Sequence, residues 1–148
     1  MRKFNVRVYG LWIEQGRLLV SDEYRFGIFM TKLPGGGLEF GEGPAEGLKR
    51  EWMEEAGMDM TVGNVVYVNP FHQLSAFNDQ HDMVSMYFLV KPRGDHSLKI
   101  SEAKFDFPPQ EEGQSFRWIN LSELSEDDFT FPIDKALARW LSKNKLPA

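Results

Sequence analysis

The chain contains no cysteine. It therefore has no disulfide, no thiolate nucleophile and no thiolate zinc site. It also lacks an apolar stretch long enough to span a bilayer. At the amino end, in MRKFNVRVYG, the basic residues are not followed by the unbroken apolar run of a secretory signal. From these absences we expect a cytoplasmic protein with no membrane partner.

Basic residues are fewer than acidic ones, 17 against 22. The net charge is −5 at pH 7, and an acidic protein attracts neither a nucleic acid polymer nor an anionic membrane. Hydrophobic residues make up 42% and aromatic residues 14% of the 148 residues, which argues against disorder and suits a substantial core. No repeat or low-complexity linker interrupts the chain, so residues 1–148 are predicted to form a single domain.

Residues 44–56 are predicted to form a helix. Pro44 suits the first helical position, and Gly57 follows the last one. At about 100° per residue, three acidic side chains fall on one face of this helix. They are Glu51, Glu54 and Glu55. An apolar stripe beside them is expected to pack on the core; it consists of Leu48, Trp52, Ala45 and Ala56.

The acidic face of this helix predicts a metal site. Clustered carboxylates repel one another unless they are protonated or a cation lies between them, and hard divalent cations prefer such oxygen ligands. The alternative is an ordinary solvated acidic face. Gly35, Gly36 and Gly37 favour the metal, because glycines let the backbone approach a ligand closely. An ion pair between Arg50 and Glu42 is expected to hold the glycine-rich loop against the helix.

The segment GGLEFGEGPAEGLKREWMEEAGM resembles the Nudix box, G-x5-E-x7-R-E-U-x-E-E-x-G-U, where U is a bulky apolar residue. Its fixed positions are filled by Gly36, Glu42, Arg50, Glu51, Glu54, Glu55 and Gly57, and Met58 fills the last apolar position. Trp52 stands where an aliphatic residue is more usual. The resemblance extends more weakly over most of the chain. It implies an α/β fold, the Nudix-type α/β/α sandwich with a mixed β-sheet.

The resemblance also implies an activity. Nudix hydrolases cleave a diphosphate linkage in a nucleoside diphosphate linked to another moiety X, such as a nucleoside triphosphate or a nucleotide sugar. Mg²⁺ is the implied cofactor, and Mn²⁺ is an expected substitute. The implied metal ligands are the carboxylates of Glu51, Glu54 and Glu55 and the carbonyl of Gly35. Arg50 is implied to hold the loop through its pair with the box glutamate.

A further carboxylate is expected before the last strand, where many family members carry one. The segment EEGQSFRW offers Glu111 and Glu112. Glu112 is preferred as a metal ligand, because the Gly-Gln after it resembles that loop in members acting on nucleoside triphosphates; an exposed acidic turn is the alternative. The predicted catalytic residues are Glu54, Glu51, Arg50 and Glu112, and the general base is assigned to either Glu54 or Glu112.

The residues that bind the substrate are less clearly marked. Arg25 and Lys32 are the expected phosphate contacts, with ordinary surface charges as the alternative. The motifs typical of members acting on coenzyme A, ADP-ribose and diadenosine polyphosphates are not found. The identity of the moiety X is therefore left open.

The polar segment FHQLSAFNDQHD is a second candidate for substrate binding. Phe77 is expected to stack on a base and His81 to hydrogen-bond to it. A solvated hairpin loop with packed aromatic residues is the alternative. His72, His81 and Asp82 also suggest a second metal site, although their spacing is loose.

The remaining elements are predicted from composition and periodicity. The final helix is expected to begin at Pro132 and to end near Lys143, and the chain is expected to turn at Gln15-Gly16. Strands are predicted over residues 5–14, 17–21, 61–69, 83–91 and 115–119, with a further apolar run in residues 26–33.

Two classes of function follow. The favoured one is a metal-dependent pyrophosphohydrolase with a small-molecule nucleotide-type substrate. The alternative is a non-catalytic Nudix-fold module that binds a nucleotide or a sugar nucleotide and regulates a partner. Such modules typically lose one or more box glutamates, whereas this chain keeps them all. A homodimer is compatible with either class.

Overall fold

The first two strands, β1 (Lys3–Glu14) and β2 (Arg17–Arg25), form a hairpin in the computed structural model, which describes residues 1–146. Gln15 and Gly16 connect them with φ angles of 52° and 73°. Two successive residues with positive φ give a turn whose twist matches that of the strands. The turn predicted at this dipeptide is therefore confirmed.

The chain divides into two units by its internal contacts. The first unit comprises Met1–Leu11 and Pro34–His96, and the second comprises Trp12–Leu33 and the chain from Ser97 onward. Strand β1 therefore contributes residues 3–11 to the first unit and residues 12–14 to the second.

The first unit is a sheet with one helix. After β1 come β4 (Gly35–Gly37), helix α1 (Pro44–Ala56), β5 (Met60–Val68) and β6 (His81–Pro92). The strand order is β4–β1–β6–β5, with β4 antiparallel to β1 and β5 antiparallel to β6. Helix α1 packs against β4 and β5. The sheet therefore places a very short strand, β4, next to the helix that carries the acidic residues.

The core of the first unit forms around Trp52, whose side chain is fully buried. Gly10 of β1 makes room for it, because a Cβ at this position would lie 2.4 Å from the Trp52 indole nitrogen. Other buried hydrophobic residues of this unit are Val8, Leu48, Met58, Met60, Tyr87 and Val90. The bulky residue of the acidic helix thus anchors the helix to the sheet, as predicted.

Helix α1 has the predicted bounds, but its buried face differs from the predicted stripe. Leu48 is buried as expected, whereas Ala45 is exposed and Ala56 is only half-buried. Gly47 is buried instead, because side chains of the preceding loop lie close to it. A Cβ at this position would lie 2.6 Å from Leu38 Cδ1 and 2.8 Å from Glu42 Oε1. The preceding loop therefore packs on the first turns of the helix, and the stripe that meets the sheet begins at Leu48.

The second unit is built around β2. This strand pairs antiparallel with β3 (Ile28–Lys32), with β7 (Gly113–Asn120) and with the last residues of β1. A parallel bridge joins Ile100 to Phe116. A short 3₁₀ helix (Glu126–Asp128) precedes helix α2 (Pro132–Lys143), whose buried side chains include Ile133, Ala136, Leu137 and Ala138.

Two strands depart from the predictions. β4 was expected to be a loop, because glycine is depleted in strands. It pairs with β1 because residues without side chains fit between β1 and helix α1. β2 was expected to end at Ser21 but continues to Arg25, because Asp22 and Glu23 are buried and hydrogen-bonded rather than exposed. Within residues 1–146, no helix is both long and apolar enough to cross a membrane.

Candidate active site

The loop before helix α1 is fixed to the helix at its start. The Gly43 amide donates to Glu46 Oε1 at 3.0 Å, which satisfies one of the amides exposed at a helix start. At the other end Gly57 has φ 63°, and its amide donates to the carbonyl of Met53. Both ends of the acidic helix are therefore capped, so the spacing of its side chains is well defined.

Arg50 is the centre of the acidic cluster. Its Nε and Nη2 donate to the two carboxylate oxygens of Glu42 at 3.0 and 2.7 Å, and Nη2 also donates to the Gly37 carbonyl at 3.0 Å. Its Nη1 lies 3.1 Å from Glu51 Oε1 and 3.2 Å from Glu54 Oε2. The predicted pair with Glu42 is present, and the same guanidinium also contacts two of the three helix carboxylates.

The Arg50–Glu42 pair shifts the pKa values of both partners. Hydrogen bonds from Arg50 and from the Glu39 amide hold the pKa of the Glu42 carboxyl below its usual value. The pKa of Arg50 is raised, chiefly by its hydrogen bonds to Glu42 and Glu51. Arg50 therefore stays charged, and Glu42 is ionised at any pH near neutrality.

The glycine strand β4 lies against two of the helix carboxylates. A Cβ at Gly36 would lie 2.6 Å from the Glu51 carboxylate, so any other residue would force this carboxylate to move. The amide of Gly35 donates to Glu55 Oε2 at 2.9 Å. Gly35 was predicted to contribute its carbonyl to a metal; the structure shows its amide bonded to one of the proposed metal carboxylates.

Sequence reasoning missed Arg7, which lies in β1 directly opposite Gly37 of β4. Its Nε donates to the Tyr9 hydroxyl at 2.6 Å. Burial lowers the pKa of Arg7, but Tyr9 and the carboxylates of Glu51 and Glu55 outweigh this effect and raise it. The available signal was a single arginine in the otherwise apolar and aromatic run VRVYG.

The NUDIX domain family matches residues 1–141 of the chain. The chain belongs to the Nudix family. The glycine strand, the acidic helix and Arg50 are therefore the parts of a Nudix box, at the positions that the sequence motif predicts.

Solved structures agree on the Nudix fold. The solution structure of the Escherichia coli ORF135 protein matches with a TM-score of 0.72 at 18% identity, over 96% of this chain and 91% of that one. A MutT protein from Methanosarcina mazei Go1 matches with a TM-score of 0.68 at 20% identity, over 96% and 95%. The α/β/α sandwich with a mixed sheet is therefore confirmed. No curated protein is detectably similar by sequence.

A further match is a structure described as a UDP-X diphosphatase. It has a TM-score of 0.60 at 17% identity, over 97% of this chain and 64% of that one. At this identity the match shows the shared fold alone. As a family, Nudix hydrolases act on small nucleotide-type compounds by hydrolysing pyrophosphate linkages and generally use divalent metal ions.

The Nudix box of this chain fits such an ion by the chemistry of its donors, which are carboxylate oxygens. Among residues 1–146, no group of three or more His, Cys, Asp or Glu side chains is arranged to hold a metal. Instead, the Arg50 guanidinium lies between Glu51 and Glu54. The acidic cluster therefore already contains a positive charge, and a metal ion would have to share these carboxylates with it.

The predicted phosphate contacts, Arg25 and Lys32, lie on β2 and β3 of the second unit of this Nudix domain. Both pair with Glu23, which is only 3% exposed: Arg25 Nε lies 3.1 Å and Lys32 Nζ 3.8 Å from its carboxylate oxygens. Ser21 and Gln114 also donate to this carboxylate. The two cations therefore surround a buried anion, and their role in substrate binding stays a prediction.

The predicted base-binding residues lie near the start of β6. Phe77 is 50% exposed in the loop before this strand, and His81 is half-buried with its Nε2 3.3 Å from Asn78 Nδ2. His72 Nε2 lies 2.6 Å from Asp82 Oδ1, and Asp82 also pairs with Arg2. The contact of Phe77 and His81 with a substrate stays a prediction.

The expected additional carboxylate, Glu112, lies in the second unit immediately before β7. Its side chain is exposed, as is that of Glu111. The adjoining Gly113 packs closely on Phe107, whose ring carbons would lie 2.6 Å from a Cβ at this position. The assignment of Glu112 to a metal therefore stays a prediction from the sequence.

Proposed function

We propose that the chain is a cytoplasmic enzyme that hydrolyses a diphosphate linkage in a nucleoside diphosphate linked to a moiety X, with Mg²⁺ or Mn²⁺ as cofactor. The observation that carries this proposal is the complete acidic cluster on α1. Arg50 contacts Glu42, Glu51 and Glu54 within 3.2 Å, and Glu55 is bonded to the glycine strand. A module that had lost catalysis has no need to keep every one of these carboxylates.

The carboxylates differ in their exposure to solvent, and different roles are assigned to them accordingly. Glu51, with a side chain 15% exposed, is held between Arg50 and Gly36 and suits a fixed metal ligand. Glu54 is 59% exposed, so water reaches it freely. When bound, a divalent ion supplies charge that stabilises phosphate oxygens and acidifies a water molecule. Glu55 and the backbone of Gly35 are the remaining proposed ligands, next to each other in the first unit.

In the proposed reaction, a bond forms between the water oxygen and phosphorus while the bond from phosphorus to the bridging oxygen breaks. The leaving phosphate carries away the electron pair. The Glu54 carboxylate accepts the proton of the attacking water, and Glu112 is the alternative proton acceptor. Arg50 acts as a positioning residue, because its bonds to Glu42 and to the Gly37 carbonyl hold the loop on the helix.

A phosphate-release assay tests this proposal. The panel comprises nucleoside triphosphates, nucleotide sugars, ADP-ribose and dinucleoside polyphosphates, each with Mg²⁺, with Mn²⁺ and with chelator. Strong metal-dependent turnover of one class is expected, together with its loss in Glu54→Gln. The matched control is Glu102→Gln, which makes the same chemical change at an exposed site outside the box.

One observation also suits the non-catalytic alternative. The contacts of Arg50 with Glu51 and Glu54 partly offset the charge of these carboxylates without a metal. A binding module is the better description if no compound of the panel is hydrolysed with either metal while calorimetry still detects nucleotide binding. Turnover that persists in chelator would contradict the metal-dependent reaction directly.

A further inference from the structure

Arg7 is an unusual residue for its place in the sheet. Side chains alternate along a strand, and its neighbour Val8 is fully buried on the face of β1 that carries Gly10 against Trp52. Arg7 therefore lies on the opposite face of β1, together with Tyr9. An arginine placed there needs partners for its guanidinium, because desolvating an unpaired charge is costly.

Within the described residues, one of the three guanidinium nitrogens of Arg7 donates a hydrogen bond. Its Nε donates to the Tyr9 hydroxyl at 2.6 Å, and its guanidinium carbon lies 5.7 Å from the centre of the Tyr9 ring. Within residues 1–146, its two terminal nitrogens donate no hydrogen bond and form no ion pair. Arg50 differs from Arg7, because its terminal nitrogens are bonded to Glu42, Glu51 and Gly37.

The hydroxyl that holds Arg7 is itself held in place. Tyr9 is 7% exposed and stacks on Tyr87, with ring centres 5.3 Å apart and planes at 26°. Tyr87 in turn lies against Tyr67, with ring centres 6.0 Å apart. The direction of the guanidinium is therefore fixed by packed rings, and less conformational entropy is lost when it binds a ligand.

The free nitrogens of Arg7 lie close to the acidic cluster. Gly36 and Gly37 are consecutive strand residues, so their Cα–H bonds point to opposite faces of β4. A Cβ at Gly36 would meet the Glu51 carboxylate at 2.6 Å, and one at Gly37 would lie 3.5 Å from Arg7 Nη1. Only the backbone of a strand without side chains therefore separates this guanidinium from the carboxylates of α1.

We propose that the two terminal nitrogens of Arg7 bind phosphate oxygens of the substrate beside β4, and that Tyr9 positions them. A planar guanidinium with two free N–H groups is matched to phosphate in shape and charge. The inference deepens the proposed function: the carboxylates of α1 serve the phosphate under attack, and Arg7 holds the rest of the phosphate chain. This arrangement favours substrates that contain several consecutive ionised phosphate groups.

The test measures binding without turnover. The probe is methylenediphosphonate, a diphosphate mimic that is not hydrolysed, titrated by calorimetry with Mg²⁺ and with chelator. Arg7→Gln is expected to weaken binding at least about tenfold in both conditions, the size of a lost charge-assisted pair. Arg93→Gln is the matched control, because Arg93 is exposed in the same unit. Equal affinities of wild type and Arg7→Gln would overturn the inference.

Two conservative variants separate binding from folding. Arg7→Lys keeps the charge but loses the planar fork, and it is expected to bind the probe less tightly than wild type but more tightly than Arg7→Gln. Tyr9→Phe keeps the ring that stacks on Tyr87 but removes the acceptor of the Arg7 hydrogen bond. It is expected to weaken binding less than Arg7→Gln. Wild-type affinity in both Arg7→Lys and Tyr9→Phe contradicts the inference even if Arg7→Gln does not fold.

Turnover distinguishes this inference from the proposed function. With a hydrolysed substrate, Arg7→Gln is expected to raise KM at least about tenfold and to change kcat less, because binding outside the reacting bond is lost. An unchanged KM would overturn the role of Arg7 and leave the hydrolase intact. If wild type hydrolyses no compound of the panel, the proposed function fails, and binding of methylenediphosphonate alone then decides whether Arg7 is an anion site.

Discussion

Arg50 shows how one residue organises the acidic helix. It holds the glycine strand through the Gly37 carbonyl and the loop through Glu42, and it partly neutralises Glu51 and Glu54. Lysine at this position would carry the charge but not the planar set of donors. The geometry of the cluster therefore depends on a guanidinium specifically.

Glu42→Gln is predicted to make the protein less stable at neutral pH and less sensitive to acid. The pKa of Glu42 is held below its usual value of 4.5 by Arg50 and the Glu39 amide. A lowered pKa stabilises the fold above pH 4.5, and this contribution is lost as the pH falls through the lowered value. Urea unfolding from pH 7 down to pH 3 measures the effect. If the difference in the free energy of unfolding between wild type and Glu42→Gln does not become smaller in acid, the lowered pKa of Glu42 is contradicted.

Asp22→Asn is predicted to be among the most destabilising single changes. Asp22 is fully buried and accepts from Arg117 Nε at 2.6 Å and from the Thr31 hydroxyl at 2.7 Å. Removing one charge of a buried pair costs about 3–5 kcal/mol, because the other charge is left without a partner. The measurement is the free energy of unfolding in urea.

The control for Asp22→Asn is Glu126→Gln, which breaks an exposed pair. Arg139 Nη1 lies 3.4 Å from Glu126 Oε1, with side chains 53% and 45% exposed. The expected change is below about 1 kcal/mol, because water already solvates both charges. If the two variants lose similar amounts of stability, the buried pair does not hold β2 and β7 together as described.

At the scale of elements, helix α1 is the most predictable part of the protein. Proline at its first position, glycine after its last and a bulky residue on its buried face are local signals, and they gave the observed bounds. Strand β4 was not predictable in this way. At two of its three glycines, Gly35 and Gly36, a Cβ would meet neighbouring elements, and this close approach is a property of the assembled fold.

Trp52→Ala is predicted to destabilise the protein by about 3–5 kcal/mol, because it leaves a large cavity beneath the helix. The Trp52 side chain is fully buried under Gly10. Denaturant unfolding checks this value. Met53→Ala, at a position 51% exposed on the same helix, should stay within about 0.5 kcal/mol of wild type. A small loss for Trp52→Ala would mean that the helix is oriented differently.

The parts of the candidate site that belong to the sequence motif could be predicted, and the parts contributed by other elements could not. The acidic helix and the Arg50–Glu42 pair follow from residue spacing, because both are local in the chain. Arg7 was missed because its relation to the box depends on strand pairing between β1 and β4. The partners of Arg25 and Lys32 were missed because nothing in the sequence shows that Glu23 is buried between them.

At the scale of the whole molecule, magnesium is predicted to stabilise the fold. A ligand that binds only the native state raises the free energy of unfolding by about 2.7 kcal/mol at a hundred times its dissociation constant. Thermal unfolding with Mg²⁺ and with chelator measures this increment. Glu51→Gln should lose most of it, whereas Glu102→Gln should keep it. No shift in wild type would count against the metal assignment.

The same measurement decides the role of Glu112, which belongs to a different unit from the acidic helix. If Glu112 is a metal ligand, Glu112→Gln reduces the magnesium-dependent shift in the unfolding temperature. A shift equal to that of wild type removes Glu112 from the ligands. Glu111→Gln, one residue earlier and equally exposed, is the matched control.

The glycines of β4 limit how this protein can evolve. Every other amino acid adds a Cβ, which would lie 2.1 Å from the Val8 carbonyl oxygen at position 35 and 2.6 Å from a carboxylate at position 36. At position 37 the nearest atom is 3.5 Å away, so alanine fits. A randomised library selected for activity should therefore return only glycine at the first two positions and small residues at the third. New specificities must then arise from changes elsewhere in the chain.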